Sequence, residues 1–200
     1  MFVTSILYSS DTDDECCEMN YNYKDYITEV LDFPIDGVSF KDISPLLANR
    51  KVFREVIYKM GELVGIKPTE PPYVTRYPDY WIAVDARGFL FASVLSFTFG
   101  GGVVMCRKAG KLPPPVIRKR YQLEYGTEWI EIKEGSGTAV VVDDVLATGG
   151  TLQVVNDIAK LAGYEVINNL VLIDLKYIPR VESFNLNIES LIEYESVRTT

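Results

Sequence analysis

Hydrophobic and polar positions alternate along this chain in two distinct rhythms. From Ala48 to Val64 the apolar residues Val52, Val56, Ile57, Met60 and Leu63 recur at helical spacing, which predicts an amphipathic helix. "YWIAVDA" (Tyr80 to Ala86) is an uninterrupted apolar run of strand length and predicts a buried strand. "RGFLFASVLSFTFG" reads as a helix opening at a glycine turn, and "GGVVMCRKAGK" as a second strand running into a basic turn. A Pro-rich loop and a basic stretch follow, then an alternating strand near Trp129 to Ile132. "VVVDDVLATGGT" (Val140 to Thr151) predicts a strand and a turn, "TLQVVNDIAKLAGY" a helix ending at Gly163, "EVINNLVLIDL" another strand, and "SLIEYE" a last one. Pro34, Gly37 and Pro45 rule out a long helix between Leu31 and Leu47, so that segment is expected to be a structured loop. Asp11 to Met19 reads as a capped surface helix, and "KPTEPPYVTRYPDY" as a Pro-rich connector. Strand–helix–strand, a hairpin-like insertion, then strand–helix–strand predicts an α/β fold with a parallel sheet and helices on both faces.

Composition narrows the functions open to such a fold. With 200 residues, one domain is expected, and a formal charge of −8 argues against phosphate-led nucleic-acid binding and against an anionic membrane surface. No apolar run reaches the ~18 residues of a membrane span, and "MFVTSILYSS" has no basic n-region of a signal peptide. The three cysteines, Cys16, Cys17 and Cys106, make a poor disulfide framework and point to a reducing cytoplasm. There is no histidine, so acid–base chemistry falls to Asp, Glu, Lys, Tyr or Cys.

Ligands of parallel α/β sheets sit at the C-terminal ends of the strands, and three charged turns are expected there. In "DDVLATGGT", Gly149 and Gly150 let backbone approach a ligand, and the following helix start suits a phosphate. A plain strand–helix turn explains the glycines but not Asp143 and Asp144; adjacent carboxylates at a strand end can accept from two neighbouring hydroxyls, as in a ribose diol. Arg107, Lys108, Lys111, Arg118, Lys119 and Arg120 form a run of cations without an acid, suited to a polyanion. In "DARGF", Arg87 offers a bidentate phosphate donor. A ribose clamp between a phosphate cradle and a polyanion site describes 5-phosphoribosyl 1-pyrophosphate (PRPP).

"VVVDDVLATGGT" resembles the PRPP-binding motif of type I phosphoribosyltransferases. Together with "DFPIDGVSFKDISPLL", "DARGFLF", "RKAGKLP" and "YQLEYG", it makes Leu31 to Leu175 similar to the adenine phosphoribosyltransferases. The resemblance implies one phosphoribosyltransferase domain over 1–200, with an N-terminal helix and base-binding hood over about 1–45 and a core over about 46–200. It implies transfer of ribose 5-phosphate from PRPP to adenine, giving AMP and pyrophosphate in purine salvage. Ala147, Thr148, Gly149, Gly150 and Thr151 would bind the 5-phosphate; Asp143 and Asp144 would hold the ribose hydroxyls near C1. Arg87, Arg107, Lys108 and Lys111 would meet the pyrophosphate. Mg²⁺ would arrive on PRPP without a direct protein ligand. Ser39, Phe40 and Lys41 would form the adenine site, with Phe40 stacking on the ring. Glu124, beside Tyr125 in a closing loop, would handle the proton at purine N7. The family is usually dimeric, and its residue matching Arg107 can reach the neighbouring subunit's pyrophosphate site. Lys41 stands where Arg is common and Pro114 where Gly is common; the insert near 67–78 and the loss of a Gly-Arg turn are also departures. A phosphoribosyltransferase for another purine, or a non-catalytic PRPP-binding regulator, are the rival readings.

Overall fold

The computed structural model describes residues 21–66, 78–123 and 126–197. The helix expected over Asp11–Met19, residues 67–77 of the Pro-rich connector, and Glu124 and Tyr125 lie outside the described residues. A single 3₁₀ turn, Tyr23–Tyr26, leads into an antiparallel hairpin of β1 (Thr28–Leu31) and β2 (Ser39–Asp42). Asp42 Oδ1 accepts from Ser44 N at 2.9 Å and so helps start α1 (Ser44–Ala48). Pro45 lies in its first turn, where a missing N–H breaks no helical bond. The segment expected to be a loop from Leu31 to Leu47 therefore holds most of a hairpin strand pair and a short helix. Its prolines and glycine punctuate the elements rather than abolish them. Asn49 then caps α2 (Arg50–Leu63), its side chain accepting from Lys51 N and Val52 N at 3.1 and 3.2 Å. Val52, Val56, Ile57 and Met60 form the buried stripe of that helix, as their spacing predicts.

The main sheet is built from β3 (Tyr80–Val84), α3 (Gly88–Phe99), β4 (Gly102–Lys108), β5 (Ile117–Leu123), β6 (Gly126–Ile132), β7 (Gly137–Leu146), α4 (Gly150–Leu161), β8 (Tyr164–Leu175) and β9 (Ile188–Tyr194). Strand order is β5-β6-β4-β3-β7-β8-β9. The five strands from β4 to β9 pair in parallel, and the β5–β6 hairpin is added antiparallel at the β4 edge. The basic stretch is thus strand β5 and not a loop. Two of its cations are taken up within the chain: Arg118 Nε lies 3.2 Å from Glu131 Oε2, and Lys119 Nζ lies 2.6 Å from Asp157 Oδ2. Only the half of the cation run before the proline loop remains at the strand ends.

Alternation along the central strands divides the core in two. Trp81, Ala83, Val140 and Val142 face α2 and α3, whose Val56, Met60, Phe91 and Leu95 cover them. Ile82, Val84, Val141 and Val171 face α4 and its Leu152, Val155 and Ile158. α3 sits so close to β7 that a Cβ on Gly88 would lie 2.5 Å from the Val142 carbonyl oxygen. Gly88→Ala is therefore expected to destabilise the fold by about 1–3 kcal/mol, as overpacking does. Thermal denaturation would show it as a drop in midpoint of roughly 2–4 °C per kcal/mol. An unchanged midpoint would mean that α3 moves off β7 freely.

Candidate active site

Asp143 and Asp144 come from β7, but not from its end. The β7–β8 ladder continues past them to Leu146. Two residues earlier, Val141 faces α4 and Val142 faces α3, so alternation sends Asp143 towards the α4 side and Asp144 towards the α3 side. Asp144 is buried, and Arg87, the residue before α3, places its Nε 2.8 Å from Asp144 Oδ2. That oxygen has a charge partner yet accepts no hydrogen bond. Burial drives both carboxyls above the usual carboxylate range. The charge of Asp144 raises Asp143 further, while Arg87 pulls Asp144 back. Asp143 Oδ1 also accepts from Asp144 N at 2.8 Å. Two acids held in a costly ionisation state, with acceptor capacity left over, fit a hydroxyl-bearing ligand.

Arg87 joins this pair to the N-terminal hairpin. Its guanidinium carbon lies 5.1 Å from the Phe40 ring centroid, over the ring. Phe33 meets Phe40 edge-on, with centroids 5.2 Å apart. One side chain therefore brings the aromatic ring expected to stack on a base next to the carboxylates expected to hold a sugar. These residues are a hundred positions apart in the chain and come together only through the crossover topology.

The 147–151 turn, expected to cradle a phosphate, opens α4. Gly149 is the N-cap of α4 with φ +82°, and no side chain caps the helix start. A Cβ there would also strike the Phe184 ring, so only glycine fits. Thr148 and Thr151 are exposed. The carbonyls of the turn are tied down from behind: Arg180 Nη1 donates to Ala147 O, and Val181 N donates to Thr148 O at 2.9 Å. Arg180 is itself held by the buried Asp174 at the end of β8, which also lies 2.9 Å from Lys176 Nζ. Asp174 and Arg180 are contributors that the sequence reading missed. The signal that singles out Asp143 and Asp144, an acid closing an apolar strand, is present at Asp174 as well.

At the end of β4 the cations are partly committed. Arg107 Nε donates to Asp85 Oδ2 at 3.0 Å, and its guanidinium lies over Phe89. Lys108 Nζ donates to Glu128 Oε1 at 2.9 Å across to β6. The side chain of Lys111 is exposed at the turn. Asp85, Arg107, Lys108, Glu128 and Thr151 all border one cleft of about 230 Å³ between β4, β6 and the start of α4. Within this chain, then, Arg107 bonds its own Asp85. The structure brings Arg87, Asp143, Asp144, Phe40 and the 147–151 turn to one end of the sheet, with Arg107 and Lys108 along its flank.

A model of the phosphoribosyl transferase domain matches residues 70–181. The adenine phosphoribosyltransferase of Bdellovibrio bacteriovorus is 40% identical over 171 residues, which cover 86% of this chain and 98% of that protein. The crystal structure of adenine phosphoribosyltransferase from Thermoanaerobacter pseudethanolicus superposes with a TM-score of 0.74 at 35% identity, covering 86% of this chain and 98% of that one. The chain belongs to the adenine phosphoribosyltransferase family. The Saccharomyces cerevisiae adenine phosphoribosyltransferase, solved with an imino-altritol bisphosphate and adenine, gives a TM-score of 0.73 at 25% identity over 84% of this chain and 95% of that one.

Lys41, noted above as a departure from the adenine phosphoribosyltransferase pattern, has a physical account. Lys41 does not send its side chain towards a base. It is 3% exposed, its Nζ lies 2.5 Å from Glu29 Oε1, and it sits 4.6 Å from the Tyr194 ring centroid. A compact ammonium between one carboxylate and one ring fastens β2 to β1 and β9. Any effect on a base would pass through the β2 backbone. In the turn after β8, Arg180 donates to Ala147 O.

Proposed function

We propose that this chain transfers the 5-phosphoribosyl group of PRPP to N9 of adenine, forming AMP and releasing pyrophosphate. The observation that carries this reading is the position of Arg87, in contact with both Asp144 and Phe40. It sets a stacking surface beside a diol clamp, with the uncapped start of α4 beyond. The C1–O bond to pyrophosphate breaks and the C1–N9 bond forms through an oxocarbenium-like state. Asp143 and Asp144 supply negative charge near C1, Thr148, Thr151 and the amides of 147–151 hold the 5-phosphate, and Arg87, Arg107, Lys108 and Lys111 meet the departing pyrophosphate. Ser39, Phe40 and Lys41 form the adenine site, Lys41 by its backbone. Glu124 takes the proton the purine loses at N7, with Tyr125 beside it in the closing segment.

Mg²⁺ prefers carboxylate and phosphate oxygens and keeps several waters. Asp144 Oδ2 faces Arg87 Nε at 2.8 Å and so is not free for a metal, which fits an ion brought in on the diphosphate without a direct protein ligand. Bound there, the metal would neutralise the leaving pyrophosphate.

The reading extends to a homodimer. Leu90 and Phe97 of α3 and Val103 and Met105 of β4 are exposed, Phe97 at 92%. Arg107 follows Val103 and Met105 on the same face of β4. A second copy covering this apolar face would bring the rim that holds Arg107 against its neighbour. No helix among the described residues is long and apolar enough to cross a membrane, and we place the enzyme in the cytoplasm.

The decisive assay is incubation with PRPP, Mg²⁺ and each of adenine, hypoxanthine, guanine and xanthine, followed by nucleotide detection. AMP is expected as the main product. Faster formation of IMP, GMP or XMP would overturn the base assignment, and no nucleotide from any base would overturn the transfer itself.

A further inference from the structure

The mechanism above gives no role to the buried carboxylate of Glu131. Glu131 lies on β6 directly opposite Arg107 on one side and Arg118 on the other. It is fully buried, yet it makes its bonds to a loop and not to the core. Its Oε1 accepts from Lys111 N at 2.8 Å and Leu112 N at 2.6 Å, and Arg118 Nε lies 3.2 Å from Oε2. Burial works against its charge, but the amides of Leu112, Gly110 and Lys111, with Arg118, outweigh burial and hold the carboxyl below the usual range. Just past the end of β6, Lys133 Nζ donates to the carbonyls of Pro113 and Pro115. A prolyl run has no N–H to anchor it, so its carbonyls are the only backbone groups a neighbour can hold.

The end of β6 and the residue that follows it thus grip both halves of the turn after β4: a carboxylate takes its amides and an ammonium takes its carbonyls. That turn carries Lys108 and Lys111 at its start. We propose that Glu131 is a positioning residue for the pyrophosphate end of PRPP, acting with Lys133 as a clamp that sets where the 108–112 backbone presents its cations. The proposal rests on the phosphoribosyl-transfer reading above. It also gives Pro114 a place, since the clamp fixes a segment in which three consecutive prolines leave no amide to bond.

Glu131→Gln is the informative change. The glutamine carbonyl can still accept, but its amide group turns a donor towards donors, either the turn amides or Arg118. Two ligands separate a positioning role from a general loss of structure. Pyrophosphate with Mg²⁺ probes the clamped turn, and AMP probes the Phe40, Asp144 and 147–151 end. By isothermal titration, Glu131→Gln is expected to bind Mg²⁺–pyrophosphate about tenfold more weakly, a loss of about 1.4 kcal/mol, with AMP affinity little changed. In steady state the KM for PRPP rises while the KM for adenine holds. Equal weakening of both ligands would make Glu131 a structural residue and overturn the proposal, as would wild-type pyrophosphate affinity. Should Glu131→Gln not fold, Lys133→Met releases the other half of the same turn and carries the same selective expectation and the same two overturning results. Failure of the wild-type chain to bind either ligand would instead remove the underlying reading.

Discussion

Asp144→Asn is expected to fold and to lose about 10- to 150-fold in kcat/KM for PRPP, the equivalent of one charged hydrogen bond worth roughly 1.5–3 kcal/mol. Asp144 is buried against Arg87, with one oxygen that accepts no hydrogen bond. Asparagine keeps the shape and one acceptor but removes the charge, both from the ribose hydroxyl and from the growing positive charge at C1. The fold tolerates the change because the charge is costly to keep. Burial raises both carboxyls of the pair, and the charge of Asp144 raises Asp143 further. In the folded protein they therefore bind protons more tightly than in the unfolded chain. As pH climbs above the ordinary carboxylate range, the unfolded chain gives up those protons first, and stability falls until the raised folded values are passed. Asp143→Asn, at the more strongly raised member, should flatten that decline and raise the thermal midpoint of the unliganded protein at neutral pH. Each kcal/mol gained corresponds to roughly 2–4 °C. A folded Asp144→Asn enzyme with wild-type turnover would remove the pair from catalysis. A lower midpoint for Asp143→Asn at neutral pH would show that the pair stabilises the fold rather than taxing it.

Much of this was legible in the sequence for a simple reason. Strands covered on both faces must be apolar throughout, so β3, β7 and β8 show as unbroken runs, and acids inside such a run stand out. β5 hides because Arg118, Lys119 and Arg120 break its pattern, and their partners Glu131 and Asp157 are found only when β6 and α4 fold alongside. β1 and β2 hide because four-residue strands on either side of the Pro34–Gly37 segment offer too short a period to read. Supporting residues are harder still. Arg180 reaches Ala147 across 33 positions, and Glu131 reaches Lys111 across 20. Neither belongs to a motif with fixed spacing; each matters because of where the topology brings it. The residues expected to touch ligand cluster in short strings, whereas the residues that hold those strings in place are scattered.

The second large effect expected is recovery of activity from two dead variants. Arg107 is bonded to Asp85 in its own chain, which by itself favours a role within one subunit. Two observations argue the other way. Arg107 follows the exposed Val103 and Met105 on β4, and its guanidinium lies over Phe89, the residue before the exposed Leu90. Large apolar side chains in one patch favour a covering partner, and a two-fold pairing across this face would carry each Arg107 to the rim of the other subunit. Arg107–Asp85 is a partly buried pair, and a diphosphate offers the guanidinium a bidentate charged partner in exchange. Arg107→Ala and Asp144→Ala, each nearly inactive alone, are to be unfolded, mixed in equal amounts and refolded. If Arg107 serves the neighbouring site, a mixed dimer has one site with both defects and one with neither. Half the dimers are mixed, so about a quarter of wild-type activity should return. If Arg107 serves its own site, every site keeps one defect and nothing returns. No recovery, with mixed dimers shown by mass spectrometry of differently tagged chains, would confine Arg107 to its own subunit. A sedimentation velocity profile of a monomer, unchanged by Phe97→Asp, would refute the interface itself.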